Sequence, residues 1–191
     1  MMPRSLLPAL PHPSAFGLLA LVVGAPVSAG GLTDLHPAEA CILKEADAQL
    51  SARMVDELLA AVGLAHKPEA VTEDDANAIG FECIKIHGIP ERNARLFGNY
   101  TAGVSLRDEA RRRLEARGYD LSRVDSILAT TVVKASDNAD AVATDLVERI
   151  DREGHDGQAI APEEAKLITA LVYTYAYGHA ALEVAAAKLG G

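Results

Sequence analysis

The sequence predicts an all-α protein: a single compact helical domain of about six helices, bundle-like or orthogonal, behind an N-terminal signal peptide. Three observations carry this prediction. Ala supplies 35 of the 191 residues, and Ala is both the best helix former and small enough for helices to pack closely. Aromatic residues make up 4%, which leaves little of what strands prefer. Along the chain after residue 36, every strong apolar periodicity recurs at three or four, the helical spacing. The length suits one domain of ordinary size.

Residues 1–29 differ from the rest. Arg4 is their only charged residue, and FGLLALVVGA from Phe16 to Ala25 is their apolar core. About ten apolar residues fall short of the roughly 20 a spanning helix needs, and Val27-Ser28-Ala29 supplies the small-x-small triplet of a cleavage site. The expectation is a signal peptide cleaved after Ala29 and a mature chain of 30–191, with net charge −10 once Arg4 is lost. No later apolar run reaches membrane length, so no transmembrane segment is expected in the mature chain. Export to the periplasm or the medium is implied.

The first helix is expected from Pro37 to about Val62, on a stripe of Leu43, Leu50, Met54, Leu58 and Val62 that Gly63 and Pro68 terminate. Thr72 with Asp75 resembles a capping box opening a second helix, whose stripe is Ala76, Ile79, Cys83 and Ile86 and whose stop is His87-Gly88. Pro90 to Gly98 reads as a short helix. Ser105 with Asp108 then caps a polar helix that closes at Gly118. Ser122 with Asp125 opens another, with inner face Val124, Ile127, Leu128, Thr131, Val132 and Ala135. After Ser136 follows the stripe Val142, Leu146, Ile150, ending at Gly154. The last helix, from Pro162 to about Leu189, spans roughly 40 Å on Ile168, Val172, Tyr175, His179, Leu182, Ala186 and Leu189.

Cys41 and Cys83 are the only cysteines. In an oxidising compartment their default is a disulfide between the first two helices. A metal pair would want CxxC spacing or nearby His, and a lone reactive thiol has no supporting context. Between Lys85 and Arg123, nine basic residues face five acidic ones in a chain of net charge −9. Arg107, Arg111, Arg112, Arg113 and Arg117 crowd one helix there and form a candidate surface for an acidic envelope or protein partner. The competing expectation is that Asp108, Glu109, Glu115 and other acids of the chain neutralise them. Tyr175 and His179, four apart on the inner face of the last helix, are candidate ligand contacts, against a core role for both.

The loop 151–164 is rich in oxygen ligands and only loosely resembles an EF-hand. Placing Gly157 at position six sets Glu163 at twelve and Asp156 at five, but Arg152 at one; starting from Asp151 offers Glu153 but puts Pro162 at twelve. Asp151, Glu153, Asp156 and Glu163 are therefore weak metal candidates. No GxSxG, SxxK, HExxH, CxxCH or phosphate loop occurs, so no catalytic residue and no cofactor are assigned. The acidic balance argues against general nucleic-acid binding. The expectation is an exported, non-enzymatic helical protein that binds a macromolecular or envelope partner. The alternative is a small-ligand or metal carrier with a cavity near His179 or the 151–164 loop.

Overall fold

The computed structural model describes residues 36–45, 48–66, 68, 73–153 and 160–190. The expected signal peptide, the Thr72 cap and Asp156 lie outside them. The described residues form seven α-helices, α1 (His36–Glu45), α2 (Ala48–Ala61), α3 (Glu73–His87), α4 (Ala94–Glu115), α5 (Ser122–Ala129), α6 (Ala139–Glu153) and α7 (Ala165–Gly190). A 3₁₀ turn at Glu91–Asn93 leads into α4. No strand occurs among the described residues, so the all-α expectation holds.

Glycine ends the helices where the sequence places stops. Gly63, Gly88 and Gly118 all have positive φ. At Gly118, φ +70° lets the Tyr119 N–H reach back to the Leu114 carbonyl at 3.1 Å and seat Tyr119 against the core. An L-residue would be strained in that conformation.

Two interior glycines do the opposite and join helices. Gly98 and Ser105 were expected to end one helix and cap the next, but α4 runs unbroken through both, and Ser105 is buried within it. The reason lies at Gly103. A Cβ on Gly103 would lie 2.6 Å from the Leu182 nitrogen, and one on Gly178 would lie 2.5 Å from the Arg107 nitrogen. The backbones of α4 and α7 thus touch where neither carries a side chain.

The crossing forms a waist between two apolar clusters. On one side Phe97, Tyr100 and Val104 of α4 meet Leu182, Ala185 and Leu189 of α7, with Ile42 and Cys83. On the other, Leu106, Ala110 and Leu114 meet Ile168, Leu171, Val172 and Ala176, closed by Val124, Leu128, Leu146 and Ile150. The two long helices are therefore antiparallel, and α7 is buried on most of its circumference.

Several expected faces are rotated. The expected helix 37–62 is described as α1 and α2, with Ile42, Val55 and Leu59 buried, Met54 and Leu58 half-buried, and Leu43 and Val62 exposed. On α3, Cys83 is buried as expected but Ile86 is 65% exposed, and Ile89 beyond the helix takes the inner place. The helix α5 stops at Ala129, leaving Val132 83% exposed. The β-branched run from Thr130 to Val133 disfavours helix, and the Thr130 and Thr131 hydroxyls donate back to the Ile127 carbonyl. Caps move as well. Asp120, not Ser122, opens α5 by accepting the Ser122 N–H at 2.9 Å, and Asn138 opens α6 by accepting from Asp140 at 2.8 Å. Cys41 and Cys83 lie at disulfide distance, with Cα atoms 5.8 Å apart, joining α1 to α3.

Candidate functional site

The waist brings polar side chains of α4 and α7, one helical turn of each, to a common point beside α5. Arg107 lies four residues beyond Gly103 on α4, with Arg111 one turn further. His179 follows Gly178 directly on α7, with Tyr175 one turn before it. The helix α5 contributes Asp125. These residues with Asp108, Leu128 and Ala129 line a cleft of about 420 Å³.

Inside the cleft, one group is locked. The Tyr175 hydroxyl donates to Asp125 Oδ1 at 2.6 Å, and Arg111 donates through Nη2 to Asp125 Oδ2 at 2.9 Å and through Nη1 to the Tyr175 hydroxyl at 3.2 Å. Arg111 Nε also pairs with Glu115 at 2.8 Å, and its guanidinium lies 5.9 Å from the centre of the Tyr175 ring. Burial, then the bond to Asp125, raises the Tyr175 hydroxyl well above its ordinary range, so it stays protonated and donating. The bond from Arg111 to Glu115 heads the causes that hold Arg111 cationic. Charge within the Arg111–Asp125 pair cancels.

The second group is less fixed. Arg107 directs both Nε and Nη2 at Asp108 Oδ1, each at 2.9 Å. Burial, then the charge of Arg107, lowers the pKa of His179. The imidazole is therefore neutral at pH 7, one nitrogen donating and the other an acceptor.

Other residues singled out in the sequence are placed as follows. Glu109 is nearly buried and accepts from Arg112 through both oxygens at 2.7 Å and from Arg113 at 2.7 Å. Arg113 also pairs with Asp56 and donates to the Ala52 carbonyl, tying α4 to α2. Arg117 donates to the Arg113 carbonyl at 2.9 Å. Four of the five candidate arginines thus have a carboxylate of the same chain, as the neutralising alternative expected. Asp151 accepts the Tyr173 hydroxyl on both oxygens at 3.0 Å, while Glu153 and Glu163 are exposed. Among the described residues no three His, Cys, Asp or Glu side chains gather as a metal site, and no helix is long and apolar enough to cross a membrane. The Asn99-Tyr100-Thr101 glycosylation pattern falls inside α4, where Thr101 is buried and bonds the Phe97 carbonyl.

Sequence reading brought Tyr175 and His179 together but missed Asp125, which it used as a capping residue. Compared with protein-family models, curated proteins and solved structures, the chain matches none.

Proposed function

We propose that the protein is an exported, non-catalytic helical protein that binds a small molecule in the cleft between α4, α5 and α7. The observation that carries this reading is the convergence of Arg107, Asp108, Arg111, Asp125, Tyr175 and His179 from three helices on one cleft of about 420 Å³. Such a volume suits a small ligand, and convergent polar groups can fix its orientation. The short apolar N-terminal segment and the Cys41–Cys83 pair support a periplasmic or secreted location.

Docking of an acidic envelope partner on the arginine face is less well supported, because most of those guanidinium groups already pair within the chain and would have to exchange partners. No nucleophile stands beside a base in the cleft: the Tyr175 hydroxyl donates to Asp125 and is far from ionising.

Native mass spectrometry of the protein isolated from its natural compartment tests the reading. A small molecule should remain with the wild type and be lost from Ala129→Trp, in which an exposed lining position fills the cleft, with helical content unchanged. Retention of the same molecule by the filled variant would move the site elsewhere. Recovery of a macromolecular partner instead, lost on reversal of Arg112 and Arg117 to Glu, would favour the arginine face.

A further inference from the structure

Resting on the cleft as a ligand site, we infer that its ligand is an uncharged polyhydroxyl compound, a polyol or a small sugar, whose hydroxyl groups lie against the Arg111–Asp125 and Arg107–Asp108 pairs and leave both pairs intact. The lining argues first against an apolar ligand. Leu128 and the Tyr175 ring are 4% and 3% exposed, so among the apolar lining side chains only the small Ala129 is open to a ligand. What the cleft shows is polar. The side chains of Arg111, Asp125 and Asp108 are 43%, 34% and 33% exposed, and His179 is half-buried.

The charges argue next against an ion. Two guanidinium groups and two carboxylates line the cleft, and neither guanidinium is free. In each pair the bonded atoms stand 2.9 Å apart, so an ion approaching one member meets the opposite charge of the other at nearly the same range. It would give up its hydration for little net attraction. Glu115 answers Arg111 a second time, which weakens any pull on an anion. His179 feels both the Arg107 and the Asp125 charge, and as a neutral imidazole it adds none of its own.

What remains is hydrogen-bonding capacity of both kinds. Arg111 donates to Glu115, Tyr175 and Asp125, and each of its terminal nitrogens carries a second hydrogen. Asp108 receives Arg107 on Oδ1 alone, so Oδ2 has no hydrogen-bond partner among the described residues. The neutral His179 ring keeps an acceptor nitrogen. A hydroxyl group donates and accepts through one atom, so it can lie beside an ion pair, accepting from the guanidinium and donating to the carboxylate without separating them. An amide holds donor and acceptor on different atoms, and a carboxylate or an ammonium offers only one kind. Several hydroxyls on one small skeleton answer Arg111, Asp108 and His179 together.

Glucitol, gluconate and glucamine share a hydroxylated six-carbon chain with charges of zero, minus one and plus one, and succinamide is uncharged with amides in place of hydroxyls. These make the test. Binding of each to the full chain is followed by NMR of the histidine imidazoles, with the His179 resonance identified by its loss in His179→Gln. Glucitol should bind several-fold more tightly than the other three, with an affinity indifferent to ionic strength. Ala129→Trp should abolish its binding. Asp108→Asn, with helical content unchanged, removes a negative charge from the cleft and should raise the affinity for gluconate relative to glucitol several-fold. Gluconate or glucamine binding to the wild type as tightly as glucitol overturns the uncharged assignment, and succinamide doing so overturns the hydroxyl one; either result leaves the ligand site standing. An unchanged preference in Asp108→Asn overturns the argument from charge balance, and undiminished glucitol binding in Ala129→Trp overturns the placement. If no probe moves His179 even at millimolar concentration, the polyhydroxyl assignment is overturned, whereas retention of the natural ligand by Ala129→Trp takes the site reading with it.

Discussion

Glu109 is 6% exposed and carries a full charge because Arg112 and Arg113 bring three N–H donors to its two oxygens. Burial alone would raise its pKa; the bonds and charges of the two arginines overcome this and hold it below the usual carboxylate range. A depressed folded-state pKa contributes stability that is present above the unfolded value and lost as pH falls through the folded one. The wild type should therefore lose stability in acid below about pH 4.3, the ordinary Glu value, and Glu109→Gln should lose less over that range. At neutral pH the same substitution should cost about 1–3 kcal/mol, measured by urea unfolding, because it leaves buried donors of Arg113 poorly answered. His179 acts at a higher pH. Its folded pKa lies below 6.5 through burial and Arg107, so the unfolded chain binds the proton more readily, and stability declines as pH drops from 6.5 towards the folded value. In His179→Gln this part of the pH dependence should disappear; an unchanged profile between pH 7 and 5 would contradict the buried, neutral imidazole.

At the scale of the helix, glycine has opposite meanings within one element. Gly98 and Gly103 both lie inside α4, but a Cβ at Gly98 meets no atom within 4 Å, whereas one at Gly103 would strike the backbone of α7. Gly98→Ala should therefore stabilise the protein by roughly 0.5–1 kcal/mol through helix propensity, while Gly103→Ala and Gly178→Ala should each cost at least about 1–3 kcal/mol by prying the helices apart. Thermal midpoints of the three variants check the signs. This contrast also explains what the sequence could say. Helix identity and the stops at Gly63, Gly88 and Gly118 were legible because periodicity and positive φ are local properties. The continuity of α4 was not, since only a partner helix distinguishes a glycine that ends a helix from one that lets another backbone approach. Stripes were misplaced by about a residue on the helix 37–62 for a similar reason. Leu50 packs in one apolar cluster while Val55 and Leu59 pack in the other, so the buried face follows two sets of neighbours and no single periodicity. Asp125 escaped notice because its partners Arg111 and Tyr175 stand 14 and 50 residues away.

Across the whole molecule, the two apolar clusters divide the labour. The cluster containing Ile42, Cys83 and Phe97 lies on one side of the α4–α7 crossing and carries the Cys41–Cys83 link, whereas the cleft opens beside the cluster that contains Leu128 and Tyr175. The link closes a loop of 42 residues, and constraining a loop of that length in the unfolded chain stabilises by roughly 4 kcal/mol in the chain-entropy model. That is a large share of the 5–15 kcal/mol typical of a domain. Its loss should therefore lower the thermal midpoint by many degrees, and the damage should begin at α1, which is 10 residues long and too short to persist without tertiary support. The cleft residues sit on α4, α5 and α7, which around the cleft pack through the cluster that contains neither cysteine. The Cys41→Ala/Cys83→Ala double variant, held well below its midpoint, should then keep the depressed His179 pKa and the wild-type response to cleft ligands while hydrogen exchange in α1 and α3 accelerates. A shift of His179 towards its ordinary value in that variant would mean that the two clusters are one cooperative unit and that the waist transmits disorder from the disulfide side to the cleft.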